Sequence, residues 1–264
     1  MDIAGNLREI NSLNQRGGRM LTIIDLIDDG TVDPSTAGYL LACVSAGASF
    51  VTAAGPGGVG KSTLMACLLS FLPPGEVITT VTDPGAVPEP TEATCYLCHE
   101  VGSGSWYGYL WGGRAARFLA LHRQARIAAT LHADSDAEIR EQLLGPGVGA
   151  SEEDVAAIDL VLTMIRERGR RRISTIYEAT PDDHATWEPV VKWDRIADSF
   201  EAEDSHLLPR LMDCTGEQAQ TLAVSATEFI DDLLANDVRL LEEVLEAVPE
   251  FYADADPSMI SGRD

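Results

Sequence analysis

A glycine-rich segment in the first quarter of the chain carries the residue types that bind phosphate. It has the spacing Gly-x-x-x-x-Gly-Lys-Ser, and its members are Gly55, Pro56, Gly57, Gly58, Val59, Gly60, Lys61, Ser62 and Thr63. Glycines let backbone N–H groups turn inward on an anion, the lysine ammonium meets β- and γ-phosphate oxygens, and the serine hydroxyl completes a Mg²⁺ shell. The spacing predicts a site for a nucleoside triphosphate with Mg²⁺. The alternative is a glycine-rich turn without a ligand.

The residues on either side of this segment predict a strand before it and a helix after it. Residues 49–54 form a strand-like run, and residues 64–72 are apolar and helical in pattern. A helix that begins near Lys61 adds the positive end of its dipole to the same site. This order of strand, loop and helix is the context in which the motif is accepted, and it favours phosphate binding.

Further strand-like and helix-like runs alternate along the chain, which predicts an α/β fold with a mainly parallel sheet. Helices are predicted at 34–44 and 115–124, and a hairpin turns at Arg168 and Gly169. The remaining apolar runs predict strands at 77–81, 94–99, 127–131, 158–165, 173–177 and 190–193. From His206 onward, leucine and other apolar residues recur at helical spacing.

Polar side chains follow three of the predicted strands. Asp83 comes after the run at 77–81, Glu100 after the run at 94–99, and His132 after the run at 127–131. Ligands of such folds bind at the carboxyl ends of parallel strands, the edge that also carries the glycine-rich loop. We therefore predict that Asp83, Glu100 and His132 converge with Lys61 as catalytic residues.

Each of these side chains also has a purely structural explanation. Asp83 can cap the turn before Pro84, Glu100 can be a solvent-exposed carboxylate at a strand end, and His132 can be a core histidine that only satisfies its hydrogen bonds. In the functional interpretation, Ser62 and Glu100 are the metal ligands, because phosphate transfer needs an acidic group at the Mg²⁺ ion.

The charge balance of the chain limits its partners. The formal net charge is −23, with 42 acidic against 19 basic residues, and the only lysines are Lys61 and Lys192. Nucleic-acid binding needs a basic face, so we expect no nucleic-acid partner. Such a surface is typical of proteins from salt-loving archaea, because molar salt screens like charges within ~3 Å. We expect poor folding at low salt, although an ordinary acidic cytoplasmic protein is the alternative.

Membrane and disulfide signals are weak. The chain contains no apolar run of the ~18 residues that a membrane helix needs, and its first residues do not resemble a signal peptide. We therefore expect a cytoplasmic protein.

The cysteines are odd in number and scattered, which argues against a disulfide framework; they are Cys43, Cys67, Cys95, Cys98 and Cys214.

Two short clusters have competing interpretations. Cys95, Cys98 and His99 have the Cys-x-x-Cys-His spacing of covalent haem or half a zinc site, but no second cysteine pair completes a zinc site, which favours buried thiols. The run at 170–172 is three consecutive arginines. It is either an anion site or, more commonly, a solvated hairpin tip or a partner for the acidic surface.

The order of several motifs resembles the secretion ATPases of type II and type IV secretion, type IV pili and the archaeal flagellum. The likeness spans residues 21–234 and is nearest to archaeal members. Besides the glycine-rich loop, it rests on the lead-in at 24–40 and on residues 71–74. Residues 77–84 are similar to the family's Asp box, 96–101 to its Walker B segment and 128–135 to its His box. Residues 191–194 and the helical tail are similar to its C-terminal domain.

This resemblance implies a RecA-like P-loop core that binds ATP and Mg²⁺. The expected organisation is an irregular lead over 1–20, either frayed or a short helix, the core over 21–200, a helical domain over 201–252 and an acidic tail over 253–264. The implied partner belongs to a pilus or secretion system, with at most peripheral membrane association, and the oligomeric state stays open. In this likeness Glu100 is the Walker B acid and His132 senses the γ-phosphate.

Departures from the family bear on catalysis. Thr82 stands where the family presents a glutamate base, Gly102 replaces an arginine, and the family's large N-terminal domain is expected to be missing. An unusual insertion at 102–113 contains the aromatic cluster from Trp106 to Trp111, which can stack on adenine, meet a partner or serve as packed filler. Two functions therefore compete: a slow MgATP hydrolase, and an ATP-holding switch or adaptor that docks onto another protein.

Overall fold

The chain forms one β-sheet with helices around it. The computed structural model describes residues 3–14, 17–181 and 185–254. Within those residues it has nine strands. They are β1 (Phe50–Ala53), β2 (Val77–Thr80), β3 (Thr94–Val101), β4 (Tyr109–Leu110), β5 (Arg126–Leu131), β6 (Leu160–Glu167), β7 (Arg170–Ala179), β8 (Trp187–Asp194) and β9 (Ser199–Ala202).

The spatial order of the strands is β2-β3-β5-β1-β6-β7-β8-β9, with β4 paired beside β3. All pairs among β1 to β6 are parallel, whereas β6 to β9 form an antiparallel meander. The predicted α/β fold with a mainly parallel sheet and a hairpin is thereby confirmed. The predicted last strand at 190–193 is followed by one more, β9, which was not predicted.

Helices cover both faces of the sheet. Those described are α1 (Ile3–Ser12), α2 (Ile23–Asp28), α3 (Pro34–Ser45), α4 (Lys61–Leu69), α5 (Gly113–Leu119) with a 3₁₀ turn at Ala120–Arg123, α6 (Asp136–Leu144), α7 (Glu152–Ala156), α8 (Leu207–Met212), α9 (Gly216–Ala235) and α10 (Leu241–Asp254). The start of α3 follows its sequence signals, since Asp33 accepts a hydrogen bond from the Thr36 amide at 2.7 Å and Pro34 occupies the first turn.

Strand alternation divides the core into two layers. Phe50 packs with α3, α4, α9 and α10 on one face, whereas Val51, its neighbour in β1, packs with α5, α6 and α7 on the other. The helices predicted as a separate domain over 201–252 thus share one hydrophobic core with α3 and α4. The predicted tail falls on the last residues of α10 and on residues 255–264, which lie outside the described residues.

The predicted irregular lead over 1–20 is largely helical in its described part. Helix α1 lies against the edge strand β2, where the buried Asn6 side chain donates to the Glu76 carbonyl and accepts from the Ile78 amide, both at 2.9 Å. Asn6 thus occupies backbone groups that an exposed strand edge would leave open. Residues 1–2 and 15–16 of this lead lie outside the described residues.

The hairpin of β6 and β7 turns where the sequence predicted. Arg168 and Gly169 both have positive φ, 48° and 87°, which matches the tight turn that two-residue hairpins prefer. The turn sets Arg170 opposite Glu167 and thereby fixes the register of the arginine run. No helix in the described ranges is long and apolar enough to cross a bilayer.

Candidate functional site

The glycine-rich segment forms the turn between β1 and α4. Gly58 and Gly60 have φ of 80° and 119°, which only glycine reaches without strain, and Gly60 caps α4. Helix α4 begins at Lys61, and the first N–H groups of a helix have no intrahelical acceptor. The positive end of α4 therefore faces the loop.

Lys61 is buried beneath this loop beside an acid and an imidazole. Its Nζ lies 3.8 Å from Glu100 Oε2 and 3.2 Å and 3.4 Å from the two ring nitrogens of His132. Burial lowers the pKa of the Lys61 ammonium, and the carboxylates of Glu100 and Asp134 partly offset that fall. Among the described residues these contacts are long for hydrogen bonds to an ammonium, so an incoming anion can replace them.

The ring orientation of His132 follows from its other contact. Nδ1 lies 2.9 Å from the carbonyl oxygen of Gly55, and because a carbonyl only accepts, Nδ1 carries the proton. In the neutral ring, Nε2 then accepts from Lys61 and lies 3.8 Å from Glu100 Oε1. The side chain is 48% exposed, so His132 is not a core histidine; it joins the loop backbone to the lysine.

Glu100 lies inside β3, which ends at Val101, whereas the sequence pattern predicted that this strand ends just before Glu100. Its side chain is only 7% exposed, and the Thr130 hydroxyl on the neighbouring strand β5 lies 2.9 Å from Oε2 and 2.5 Å from the His99 carbonyl oxygen, between which it shares its one proton. The other oxygen, Oε1, is buried without a hydrogen-bond partner among the described residues. The interpretation of Glu100 as a solvent-exposed carboxylate is therefore wrong.

Asp134 ties the start of the loop to the end of β5. The Gly55 amide donates to Asp134 Oδ1 at 2.6 Å, and a Cβ added at Gly55 would lie 2.2 Å from Asp134 Oδ2. Any other residue at position 55 would therefore have to displace the Asp134 carboxylate. This role for Asp134 was not predicted.

Lys61, Glu100 and His132 line a cavity of about 340 Å³ above the loop. Of the predicted residues, Gly57, Gly58, Gly60, Lys61, Ser62, Thr63, Glu100 and His132 line it. From the described part of the chain it also receives two cations, Lys61 and Arg171, and one carboxylate, Glu100. A larger cavity of about 690 Å³ between α3, β8 and α9 has only acids among its charged lining residues as described, so it would repel phosphate.

Asp83 does not join the cluster. Its side chain is exposed and accepts from the Gly85 amide at 3.1 Å, which is the turn-capping role. The reason is strand order: Asp83 follows β2, three strands from β1, or about 14 Å at the usual strand spacing. Thr82 is exposed too, and its carbonyl accepts from Arg114. Within the loop itself, Pro56 is exposed and Val59 buried, and neither lines the cavity.

The aromatic insertion is a surface feature at the cavity rim. Trp106 is 65% exposed, Tyr107 53% and Trp111 41%, so packed filler is the wrong explanation for these three. Tyr109 pairs beside Glu100 through β4 and lines the cavity, with its ring 5.2 Å from that of Trp106. The insertion thus connects the site to an exposed aromatic surface.

The Cys-x-x-Cys-His segment is part of β3. Cys95 and Cys98 are buried free thiols, as the simpler interpretation predicts, and burial raises the pKa of both. His99 is buried as well, and its Nε2 lies 3.2 Å from the hydroxyls of Ser12 and Thr80. Burial lowers the pKa of His99 to about 4, so the ring is uncharged at neutral pH. Both hydroxyls donate their own protons to Glu9.

The chain was compared with known protein families and with curated proteins. No model of a known protein family matches the chain, and no curated protein matches it significantly. The site is therefore interpreted from its own residues.

Proposed function

We propose that this chain is a P-loop protein that binds MgATP at the loop between β1 and α4, on a RecA-like core akin to that of the secretion ATPases. One observation carries the proposal: Lys61, Glu100 and His132 come from three separate elements and meet within 3.8 Å of one another beside the glycine loop. A glycine-rich turn without a ligand has no need of a buried lysine facing a cavity.

The residues present fit a Mg²⁺ ion held largely by its nucleotide. Magnesium prefers one or two carboxylates together with phosphates and water, rather than an all-protein cage. Glu100 Oε1 is a buried acceptor without a partner, Ser62 lines the same cavity, and no cluster of three or more ligating side chains exists in the described ranges. When bound, Mg²⁺ would neutralise charge on the β- and γ-phosphates; Ser62 and Glu100 would hold it.

Hydrolysis at this site would be slow. A water oxygen bonds to the γ-phosphorus while the bond to the β,γ-bridging oxygen breaks, which yields ADP and inorganic phosphate. Lys61 and the loop amides stabilise the charge on the transferring group. The water proton passes to Glu100 or to phosphate, because position 82 supplies no carboxylate, and a positioned base contributes typically ~10²–10⁴-fold. Glu100 would serve both metal and water.

Loss of the γ-phosphate would change the conformation of the loop through His132. Its imidazole connects the Gly55 carbonyl to Lys61, so a change in the partner of Lys61 alters the contact that holds the loop. We propose His132 as the residue that reports the terminal phosphate.

Titration of the wild type and two lysine variants in molar KCl tests the proposal. Lys61→Ala should weaken ATP and ADP binding by at least ~10-fold, since it removes the cation that meets the phosphates. Lys192→Ala is the matched control, because Lys192 is the only other lysine and is exposed on β8; it should bind like the wild type. Equal affinity for both variants would eliminate the proposed site.

The second candidate is an ATP-holding switch that docks onto a partner such as a pilus or secretion component. It is favoured by the exposed Thr82, which lies outside the cavity. Phosphate release measured on the same samples separates the two functions. Wild-type turnover above that of Lys61→Ala, abolished in Glu100→Gln with binding retained, supports the hydrolase. Binding with no such turnover supports the switch. Thr82→Glu should gain nothing, given the position of residue 82.

A further inference from the structure

One of three consecutive arginines faces the glycine loop. Side chains alternate along a strand, so Arg170 and Arg172 in β7 point to one face and Arg171 to the other. Arg172 binds Asp198, with Nε 3.1 Å from Oδ1, and Arg170 lies 3.7 Å from the same carboxylate. Arg171 instead lines the loop cavity.

The stem of Arg171 is fixed against the loop. A Cβ added at Gly60 would lie 3.2 Å from Arg171 Cδ and 3.3 Å from Met164 Cε, so these two side chains pack directly on the glycine that begins α4. The guanidinium Nε is buried and has no hydrogen-bond partner among the described residues. The stem of the side chain is therefore held in place while this donor is unsatisfied.

Arg171 is unusual for a cation in this acidic protein. The described part of the chain has five other arginines without a carboxylate within 4 Å, and all five are exposed; they are Arg8, Arg114, Arg117, Arg166 and Arg168. Arg171 alone of this group is partly buried and faces a cavity. A buried donor without an acceptor destabilises the protein, and an anionic ligand would remove that cost.

Strand order separates Arg171 from the acidic side of the site. Counting from β1, Glu100 and His132 come from the β5 and β3 side, whereas Arg171 comes from the β6 and β7 side. Glu100 and His132 are the groups assigned to the metal and the terminal phosphate. A phosphate chain bound at the loop would therefore meet Arg171 on the side away from Glu100 and His132.

We propose that Arg171 is the second cation of the site and that it grips the α- and β-phosphates of the bound nucleotide. Arginine suits this position because its planar fork donates two parallel hydrogen bonds to phosphate oxygens. The inference rests on the proposed function, because it assigns a residue within the same site. It specifies a ligand with a diphosphate or longer chain and requires no partner subunit to supply the arginine.

Contacts made equally to substrate and product change binding but not turnover at saturation. Arg171→Met keeps the apolar stem against Gly60 and removes the fork; it should weaken MgATP and MgADP by a similar factor of about 10, with the rate at saturating ATP unchanged. Arg171→Gln should give the same loss and decides the matter if the methionine variant does not fold. Arg168→Gln is the control, since it removes an exposed charge from the same hairpin.

Titration calorimetry in molar KCl with MgATP, MgADP and inorganic pyrophosphate, followed by phosphate release, supplies these values. Pyrophosphate affinity should fall with that of the nucleotides, because Arg171 reads phosphate and not base. Wild-type affinity in both Arg171 variants would overturn the inference and leave the proposed function intact. A fall for ATP with no fall for ADP would also overturn it, by placing Arg171 at the terminal phosphate. Failure of the wild type to bind MgATP would instead sink the proposed function itself.

Discussion

Two glycines of the loop should respond to the same substitution in opposite ways. A Cβ at Gly55 would lie 2.2 Å from Asp134 Oδ2, whereas a Cβ at Gly57 meets nothing within 4 Å. Gly57 is also absent from the positive-φ glycines, so alanine fits its backbone. Gly55→Ala should therefore destabilise the ligand-free protein, and Gly57→Ala should not.

The magnitudes follow from the contacts. Gly55→Ala displaces the Asp134 carboxylate and loses a 2.6 Å hydrogen bond to a charged acceptor, worth about 1.5–3 kcal/mol and toward the low end because Asp134 is exposed. Reduced chain entropy in the unfolded state returns about 0.4–1 kcal/mol for any glycine-to-alanine change. The net loss is about 1 kcal/mol, or about 2–4 °C in Tm. Gly57→Ala should be neutral or slightly stabilising.

Thermal and denaturant unfolding of the ligand-free variants measure this difference. Asp134→Ala provides the internal control, because Gly55→Ala should cost nothing further once the carboxylate is gone. Nucleotide affinity should respond differently from stability. Gly57→Ala keeps the fold but places a methyl group in the open space above the loop, and should weaken ATP binding. Equal stability of Gly55→Ala and Gly57→Ala, or a Gly55→Ala penalty that persists without Asp134, would refute the reasoning.

Three further outcomes are expected. Asn6→Ala leaves the Glu76 carbonyl and Ile78 amide unpaired at a buried site and should cost about 2–4 kcal/mol in urea unfolding; Ser12→Ala is a milder control on the same helix. Because the folded-state pKa of His99 is lowered from 6.5 to about 4, the folded state binds fewer protons between those values, so stability falls as pH drops from about 6.5 to 4. The loss approaches about 3 kcal/mol, and His99→Gln should flatten that part of the pH profile. Raising KCl from about 0.1 to 1 M shortens the screening length from ~10 to ~3 Å and should raise Tm, given the net charge of −23; a Tm that is independent of KCl would contradict the salt-adapted interpretation.

Local pattern was enough to predict the parallel sheet. Strands β1, β5 and β6 are buried over most of their length, which leaves continuous apolar runs in the sequence. Helices α6 and α7 were not predicted, because α6 buries only Ile139 and Leu143 and thus has a weak apolar repeat. Their N-caps, Ser135 and Ser151, each followed by acidic residues, are the signal that could have located them.

The membership of the site could be predicted only in part. The rule that side chains converge at carboxyl ends of strands selects an edge of the sheet, but it does not give the distance between strands along that edge. His132 follows β5, the neighbour of β1, and Glu100 lies near the end of β3, the next strand along, whereas Asp83 follows the outermost strand, β2. The polar contacts made by Thr130 and Asp134 depend on register between β3, β5 and the loop, which is a long-range property.

The position of Arg171 within the arginine run could not be predicted from local sequence rules alone. Alternation separates residue 171 from residues 170 and 172, yet it cannot tell which face meets the loop; the hairpin register decides that. With 42 acidic residues in the chain, carboxylates are abundant, and Asp198 serves both Arg170 and Arg172. The buried Nε of Arg171 has no such partner among the described residues, which makes the unliganded protein less stable than it would be with that donor paired. On the proposal made above, the missing partner is an anionic group of the bound nucleotide.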